Sequence, residues 1–262
     1  MIHNHNNLSR LVWSDYATIS GVKKEALIGG ITLILLGAGL IALSRTSEPQ
    51  PALAPATALP LPPGGYVERA RYYDIAANYA TSTPLPGSAN TAAIAAMQQF
   101  VADTIIQFKK GENSVVDNRK KTLEIKYLIA SSAHTVSYLF TIYEDTLGAH
   151  GNLFFRIFTF DTTSGQGLAL GDLFTSGSGY LDNLSSTARA ELPVAIGNGL
   201  ASRQMLDQGT TPEDKNFANF FLDNGDFVAL FAPYAVAPYA AGPQTLRIPL
   251  SDLSSILKPQ YR

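Results

Sequence analysis

Cysteine is absent from this chain of 262 residues, and tryptophan occurs once. Without cysteine, no disulfide framework, thiolate zinc site or cysteine nucleophile is possible, and the fold depends on packing alone. Charged residues make up 15% of the sequence, below the roughly 25% that soluble domains usually carry. No basic stripe long enough to bind a phosphate backbone is present, so we expect no nucleic acid among the partners.

Histidine is scarce as well, and this limits the chemistry that the chain offers. After residue 25 the histidines are His134 and His150. Two histidines without cysteine provide few of the ligands that a metal site needs, so we expect neither a metal nor another cofactor. The segment Gly177-Ser178-Gly179 lacks the five-residue frame of a nucleophile elbow. We therefore expect a protein that is not an enzyme, with a hydrolase as the alternative.

One long apolar run lies near the N-terminus. Residues 26–43 carry no charge, and as a helix they would span roughly 27 Å, close to the ~30 Å hydrocarbon core of a bilayer. Two lysines precede the run and one arginine follows it closely, which places the N-terminus in the cytoplasm. We predict a cytoplasmic tail (1–25) and a single-pass transmembrane helix (26–44) that holds the following domain outside the cytoplasm, at the cell membrane. A cleaved signal peptide is the alternative, because small-residue cleavage patterns follow the run.

A proline-rich linker at 45–65 is predicted to join the membrane segment to a folded domain. The strongest helix signal lies at 88–110, where apolar residues recur at helical spacing between Ser88 as N-cap and Gly111 after the last turn. Alternation and turn signals predict strands at 66–80, 122–130, 135–143, 153–160, 168–174, 217–222, 227–231 and 245–249. Shorter helices are predicted at 180–192, 196–206 and 253–257. The predicted fold class is therefore α+β, an antiparallel sheet with packed helices.

Five segments occur together in the order typical of a known family: YYDIAANY, GAHGN, FDTTSGQGLALGDLF, FVALFAPYAVAPYAAG and RIPLSDL. Together they resemble the extracytoplasmic domain of the RsiV-like, lysozyme-sensing anti-sigma factors. The same paired domains occur in PdaC-like peptidoglycan deacetylases and in uncharacterised membrane-anchored bacterial proteins. The resemblance implies two interlocked subdomains, 66–161 and 165–258, and a location in the bacterial cell envelope. We expect the chain to differ from these proteins in its output, because residues 1–25 look too short for a sigma-binding segment and the 262 residues contain no deacetylase sequence.

The segment from Pro233 to Gly242 is the best candidate for contact with a partner. Pro233-Tyr234 and Pro238-Tyr239 form a stiff loop that loses little entropy on binding, and tyrosine is favoured at interfaces. The alternative is that the loop packs back onto the sheet with its tyrosine hydroxyls bonded internally.

The motif from Gly148 through His150 and Gly151 to Asn152 is the second candidate, structural or binding. Histidine can act as a base or a ligand, whereas flanking glycines more simply allow a tight turn with positive φ. Taken with the resemblance, these segments predict a membrane-anchored binding or sensing protein that recognises a lysozyme-like muramidase or a cell-wall fragment. The alternatives are a wall-modifying enzyme centred on His150 and a passive envelope scaffold.

Overall fold

The computed structural model describes residue 59 and residues 61–111, 116, 118–197 and 200–262. All of them fall in one unit that runs from Leu59 to Arg262. The predicted cytoplasmic tail (1–25), the predicted transmembrane helix (26–44) and most of the predicted linker lie outside the described residues. Within the described part of the chain, no helix has the length and apolar character that crossing a bilayer requires.

The first sheet has five strands in sequential order. They are β1 (Tyr66–Arg69), β2 (Tyr73–Ala77), β3 (Lys121–Ser131), β4 (Thr135–Asp145) and β5 (Asn152–Asp161). The pairs are antiparallel except β2 with β3, which are parallel. That one parallel pair arises because helix α1 (Gly87–Lys110) supplies the long crossover that a parallel connection needs.

Helix α1 covers one face of this sheet. Its buried Met97, Val101 and Ile105 share one core cluster with Leu123 of β3 and Phe140 of β4. The helical stripe and the strand alternation that predicted these elements are both confirmed, because each places its apolar residues toward the other.

The second part of the unit contains two helices and a three-stranded antiparallel sheet. The helices are α2 (Tyr180–Ile196) and α3 (Arg203–Gly209), and the strands are β6 (Phe220–Asp223), β7 (Asp226–Phe231) and β8 (Gln244–Pro249). Asn224 and Gly225 join β6 to β7 with φ values of 48° and 88°, as the predicted Asn-Gly hairpin requires.

The two sheets pack together through a third apolar cluster. Leu139 of β4 and Ile157 of β5 contribute to it from the first sheet, and Phe221, Val228 and Leu230 from the second. The first sheet is therefore buried on both faces, by α1 on one side and by the second sheet on the other. The α+β prediction with antiparallel sheets is confirmed, whereas the subdomain boundaries 66–161 and 165–258 stay predictions.

Several predicted boundaries are wrong for local physical reasons. The single strand predicted at 66–80 is two strands, because the chain reverses where the amide of Ala70 donates to the carbonyl of Tyr73. Ser88 is not the N-cap of α1, since Pro86 holds that position without a side-chain bond. Gly111 has a φ of −66°, so it does not adopt the left-handed conformation expected after a helix.

The remaining differences lie in the second half of the chain. The strand predicted at 168–174 is a 3-10 turn (Leu170–Leu173). Helix α2 continues past Pro193 to Ile196, because a proline in the last turn removes only one backbone hydrogen bond. The helix predicted at 196–206 is replaced by α3. The helix predicted at 253–257 is absent from these described residues, where the chain instead pairs Leu257 with Phe174.

Candidate functional site

The motif at 148–152 forms the connection between β4 and β5. The turn is set by Asp145, whose carboxylate accepts from the amide of Leu147 at 2.8 Å. Leu147 takes the positive φ, 69°, whereas neither Gly148 nor Gly151 has one. The prediction that the glycines supply positive φ is therefore wrong, because a side-chain hydrogen bond holds Leu147 in that conformation instead.

Gly151 is required for a different reason, which is close packing against Tyr143 of β4. A Cβ atom on Gly151 would overlap the ring of Tyr143, whereas a Cβ on Gly148 would find its nearest neighbour at 3.9 Å. Burial raises the pKa of Tyr143, and the negative charge of Asp145 adds to the effect. Tyr143 is a neighbour of the site that the sequence pattern did not single out.

The segment at 233–242 connects β7 to β8 and is held down at its centre. Val236 and Ala237 are buried, and Gly209 at the end of α3 lies so close to Ala235 that a Cβ on Gly209 would overlap the Ala235 carbonyl. Tyr234 has a φ of 70°, a conformation that is uncommon for a residue with a side chain. The buried centre fixes the loop and leaves its tyrosines at the two ends.

The two candidate segments meet in space, although more than 80 residues separate them in sequence. The His150 ring stacks on Tyr239 with a centroid distance of 3.8 Å and an interplanar angle of 20°. The Tyr234 ring lies 5.5 Å from that of Tyr239. We call these three residues (Tyr234, His150 and Tyr239) the Tyr–His–Tyr cluster.

Hydrogen bonds fix the rings of this cluster. The carbonyl of Gly151 accepts from the Tyr239 hydroxyl at 2.8 Å and lies 3.0 Å from His150 Nδ1. Because a carbonyl only accepts, His150 donates to it from Nδ1, and Nε2 on the other side of the ring lies 3.2 Å from the Tyr234 hydroxyl. One backbone carbonyl therefore orients two of the three rings.

The cluster faces solvent. Tyr234 is 53% exposed, His150 is exposed, and Tyr239 is half-buried. Pro233 and Pro238 are half-buried beside them, so they stiffen the loop more than they offer contact area. Asn152, the last residue of the motif, begins β5 and pairs with Glu144. The tyrosine hydroxyls of the loop are bonded internally, whereas the Tyr234 ring remains exposed, and contact of the loop with a partner stays a prediction.

The described residues of this neighbourhood form no metal-binding group. His134, in the turn between β3 and β4, belongs to a different connection from His150. Across residues 61–111, 116, 118–197 and 200–262, no three histidine, aspartate or glutamate side chains come together as a metal-binding group. The arrangement supports contact through aromatic faces and hydroxyls at the rim of a folded unit.

Comparison with known proteins gives two similarities in sequence. Residues 171–251 match the model of the family described as a protein of unknown function, DUF3298. Over 189 residues the chain is 32% identical to the peptidoglycan-N-acetylmuramic acid deacetylase PdaC of Bacillus subtilis. This match covers 70% of the chain and 40% of PdaC, so the chain spans less than half the length of that relative.

Two solved structures match parts of this chain. A DUF3298 family member from Bacteroides fragilis is 18% identical, with a TM-score of 0.50 over 74% of this chain and 91% of that one. A DUF3298 family protein from Pseudomonas aeruginosa is 17% identical, with a TM-score of 0.49 over 78% of this chain and 97% of that one. The sequence match supports the predicted likeness to PdaC-like proteins, and the comparisons do not show the resemblance to the anti-sigma factors. The chain is thus similar to DUF3298 proteins in sequence and fold and to part of PdaC in sequence.

Proposed function

We propose that this chain is an envelope binding protein that recognises a cell-wall ligand through the Tyr–His–Tyr cluster and does not itself catalyse a reaction. The observation that carries the proposal is the meeting of His150 with Tyr234 and Tyr239 at an exposed rim. Rings held by hydrogen bonds lose little entropy on binding, and tyrosine is enriched where proteins contact their partners. The similarity to a peptidoglycan deacetylase supports the cell wall as the source of the ligand.

The proposed ligand is a lysozyme-like muramidase or a fragment of the wall itself. In this proposal residues 26–44 anchor the chain as a single membrane-spanning helix, with the N-terminus in the cytoplasm and residues 66–262 outside. The two parts of the domain, 66–161 and 165–258, act as an interlocked sensing module like that of the anti-sigma factors. The third cluster of buried residues contains side chains from both sheets. This shared core supports the proposal that the two parts act as one unit.

Titration of the full-length chain in detergent solution tests the proposal. Lysozyme and a soluble muropeptide mixture are added separately, and heat of binding is measured for each. We expect saturable binding of at least one of them, with an affinity that falls about tenfold or more in Tyr234→Ala and His150→Ala, as central interface residues do.

Two matched variants serve as controls for these substitutions. Tyr72→Ala removes a tyrosine from the turn between β1 and β2, and His134→Ala removes the other histidine that the structure describes. Both are expected to bind as the parent does. Absence of binding to either ligand at high micromolar concentration, or equal losses in the controls, would contradict the proposal. Release of products from peptidoglycan by the parent chain would favour the enzyme instead.

A further inference from the structure

A cleft lies on the face of the first sheet that α1 covers, opposite the face on which the three-stranded sheet packs. Helix α1 packs on this sheet face but leaves Arg156 of β5 exposed, and a cleft of about 660 Å³ lies between the helix and that part of the strand. This volume lies within the roughly 300–1,000 Å³ typical of small-ligand sites. Its floor is apolar, formed by Phe100, Phe108, Leu123 and Phe158, while polar side chains of α1 form one wall.

One end of the cleft carries a cation that has no carboxylate partner among the described residues. The guanidinium of Arg156 lies 4.8 Å from the ring centroid of Phe158, and its residue is exposed. Within the described residues no ion pair or hydrogen bond involves this guanidinium. Because Phe158 supports the planar group from one side, its donors remain directed toward the cleft and solvent.

The other end carries a half-buried carboxylate, that of Glu144, which has no hydrogen-bond donor among the described residues. Burial raises the pKa of Glu144, while the positive charge of Lys121 acts in the opposite direction. Lys121 itself donates to the carbonyl of Gly111 at 3.2 Å. A positively charged group on a ligand would stabilise the ionised form of this half-buried carboxylate.

Strand register sets the spacing of the two residues. Arg156 pairs with Phe140, and Asn152 pairs with Glu144, so the Cα atoms of Arg156 and Glu144 stand four residues apart along the strands. Both residues lie on the face that α1 covers, and at ~3.4 Å per residue their Cα atoms are separated by roughly 13 Å along the strands. An extended peptide of about four residues spans a comparable length.

We propose that this cleft binds a short peptide with free termini, three or four residues long and apolar in its side chains. Its carboxylate pairs with Arg156, its ammonium pairs with Glu144, and its side chains lie on Phe100 and Phe158. Gln99, Asp103 and Gln107 of α1 supply partners for the peptide backbone. The site is independent of the Tyr–His–Tyr cluster.

Calorimetric titration of the full-length chain with a tetrapeptide of alternating leucine and alanine tests this assignment. The peptide is used with free termini, with an amidated C-terminus and with an acetylated N-terminus. We expect the free form to bind and each blocked form to bind about tenfold more weakly, since each has lost a charge-assisted hydrogen bond. Arg156→Gln should weaken the free peptide by a similar factor.

The decisive comparison is a double-mutant cycle, in which each protein variant is titrated with the free peptide and with each blocked peptide. In Arg156→Gln the amidated and free peptides should bind equally, while acetylation still weakens binding; Glu144→Gln should show the converse pattern. Arg203→Gln, whose side chain is 94% exposed on α3, should behave as the parent. No binding of the free peptide at millimolar concentration, or an amidation effect that persists in Arg156→Gln, would overturn the proposal.

Discussion

Alanine at Gly151 and alanine at Gly148 should change the stability of the chain in opposite directions. Neither glycine has a positive φ, so alanine at either position restricts the unfolded chain and would by itself add about 0.4–1 kcal/mol of stability. At Gly148 nothing opposes this gain, because the new Cβ finds its nearest neighbour at 3.9 Å. At Gly151 the Cβ overlaps the Tyr143 ring, and such overpacking costs about 1–3 kcal/mol.

The net expectation is a loss of about 1–2 kcal/mol for Gly151→Ala and a gain of about 0.4–1 kcal/mol for Gly148→Ala. For a folded unit of this size, roughly 2–4 °C in Tm corresponds to each kcal/mol. Differential scanning calorimetry should therefore give a Tm lower by about 2–8 °C for Gly151→Ala and higher by about 1–4 °C for Gly148→Ala. Equal shifts for the two variants would refute the packing argument.

Two further predictions concern ion pairs away from the site. The hydrogen bond from Lys109 is the main cause that lowers the pKa of Glu68 from 4.5 to about 2; this carboxylate therefore stabilises the fold above pH 4.5 and loses its contribution as the pH falls toward 2. In urea unfolding at several pH values, Glu68→Gln should be less stable than the parent near neutral pH. The difference should shrink as the pH falls below 4.5 and vanish only below about pH 2; a constant difference would contradict the assignment. Arg247 is bound to Asp223, whose side chain is 7% exposed, so Arg247→Ala leaves a buried unpaired carboxylate and should cost about 3 kcal/mol in urea unfolding. Arg203→Ala at an exposed position is the control, expected within about 0.5 kcal/mol of the parent, and a similar loss in both variants would argue against a role for burial.

Local sequence signals located most of the secondary structure. The Asn-Gly turn predicted the β6–β7 hairpin because positive φ at both positions is nearly specific to that turn. The apolar stripe of α1 and the alternation of β3 and β4 were equally informative, since each reflects burial on one face. These signals are local, and each of them was confirmed by the packing of the element that carries it.

The signals that failed were those that tertiary contacts override. The break between β1 and β2 carries no glycine or proline, so nothing in the sequence marks it. Leu253 and Leu257 have helical spacing, yet the carbonyl of Ile256 accepts from Thr175 and the amide of Lys258 donates to Leu173. Those bonds draw the segment into pairing with a distant part of the chain.

The candidate site was predictable in its parts and not in its assembly. Composition alone marks both segments as candidates: one combines tyrosine with proline, and the other combines histidine with glycine. Their meeting depends on how the second sheet packs on the first, a contact between residues such as Ile157 and Val228. Sequence spacing carries no information about that contact, and it also gave no reason to include Tyr143.

Hydrogen exchange of the full-length chain, with and without lysozyme or soluble muropeptides, tests whether the Tyr–His–Tyr cluster binds the ligand. We expect the ligand to slow exchange of the amides at 148–152 and 234–241, and Tyr234→Ala to abolish this protection. Protection confined to other surfaces of the unit, with both loops exchanging as they do in the free chain, would contradict it.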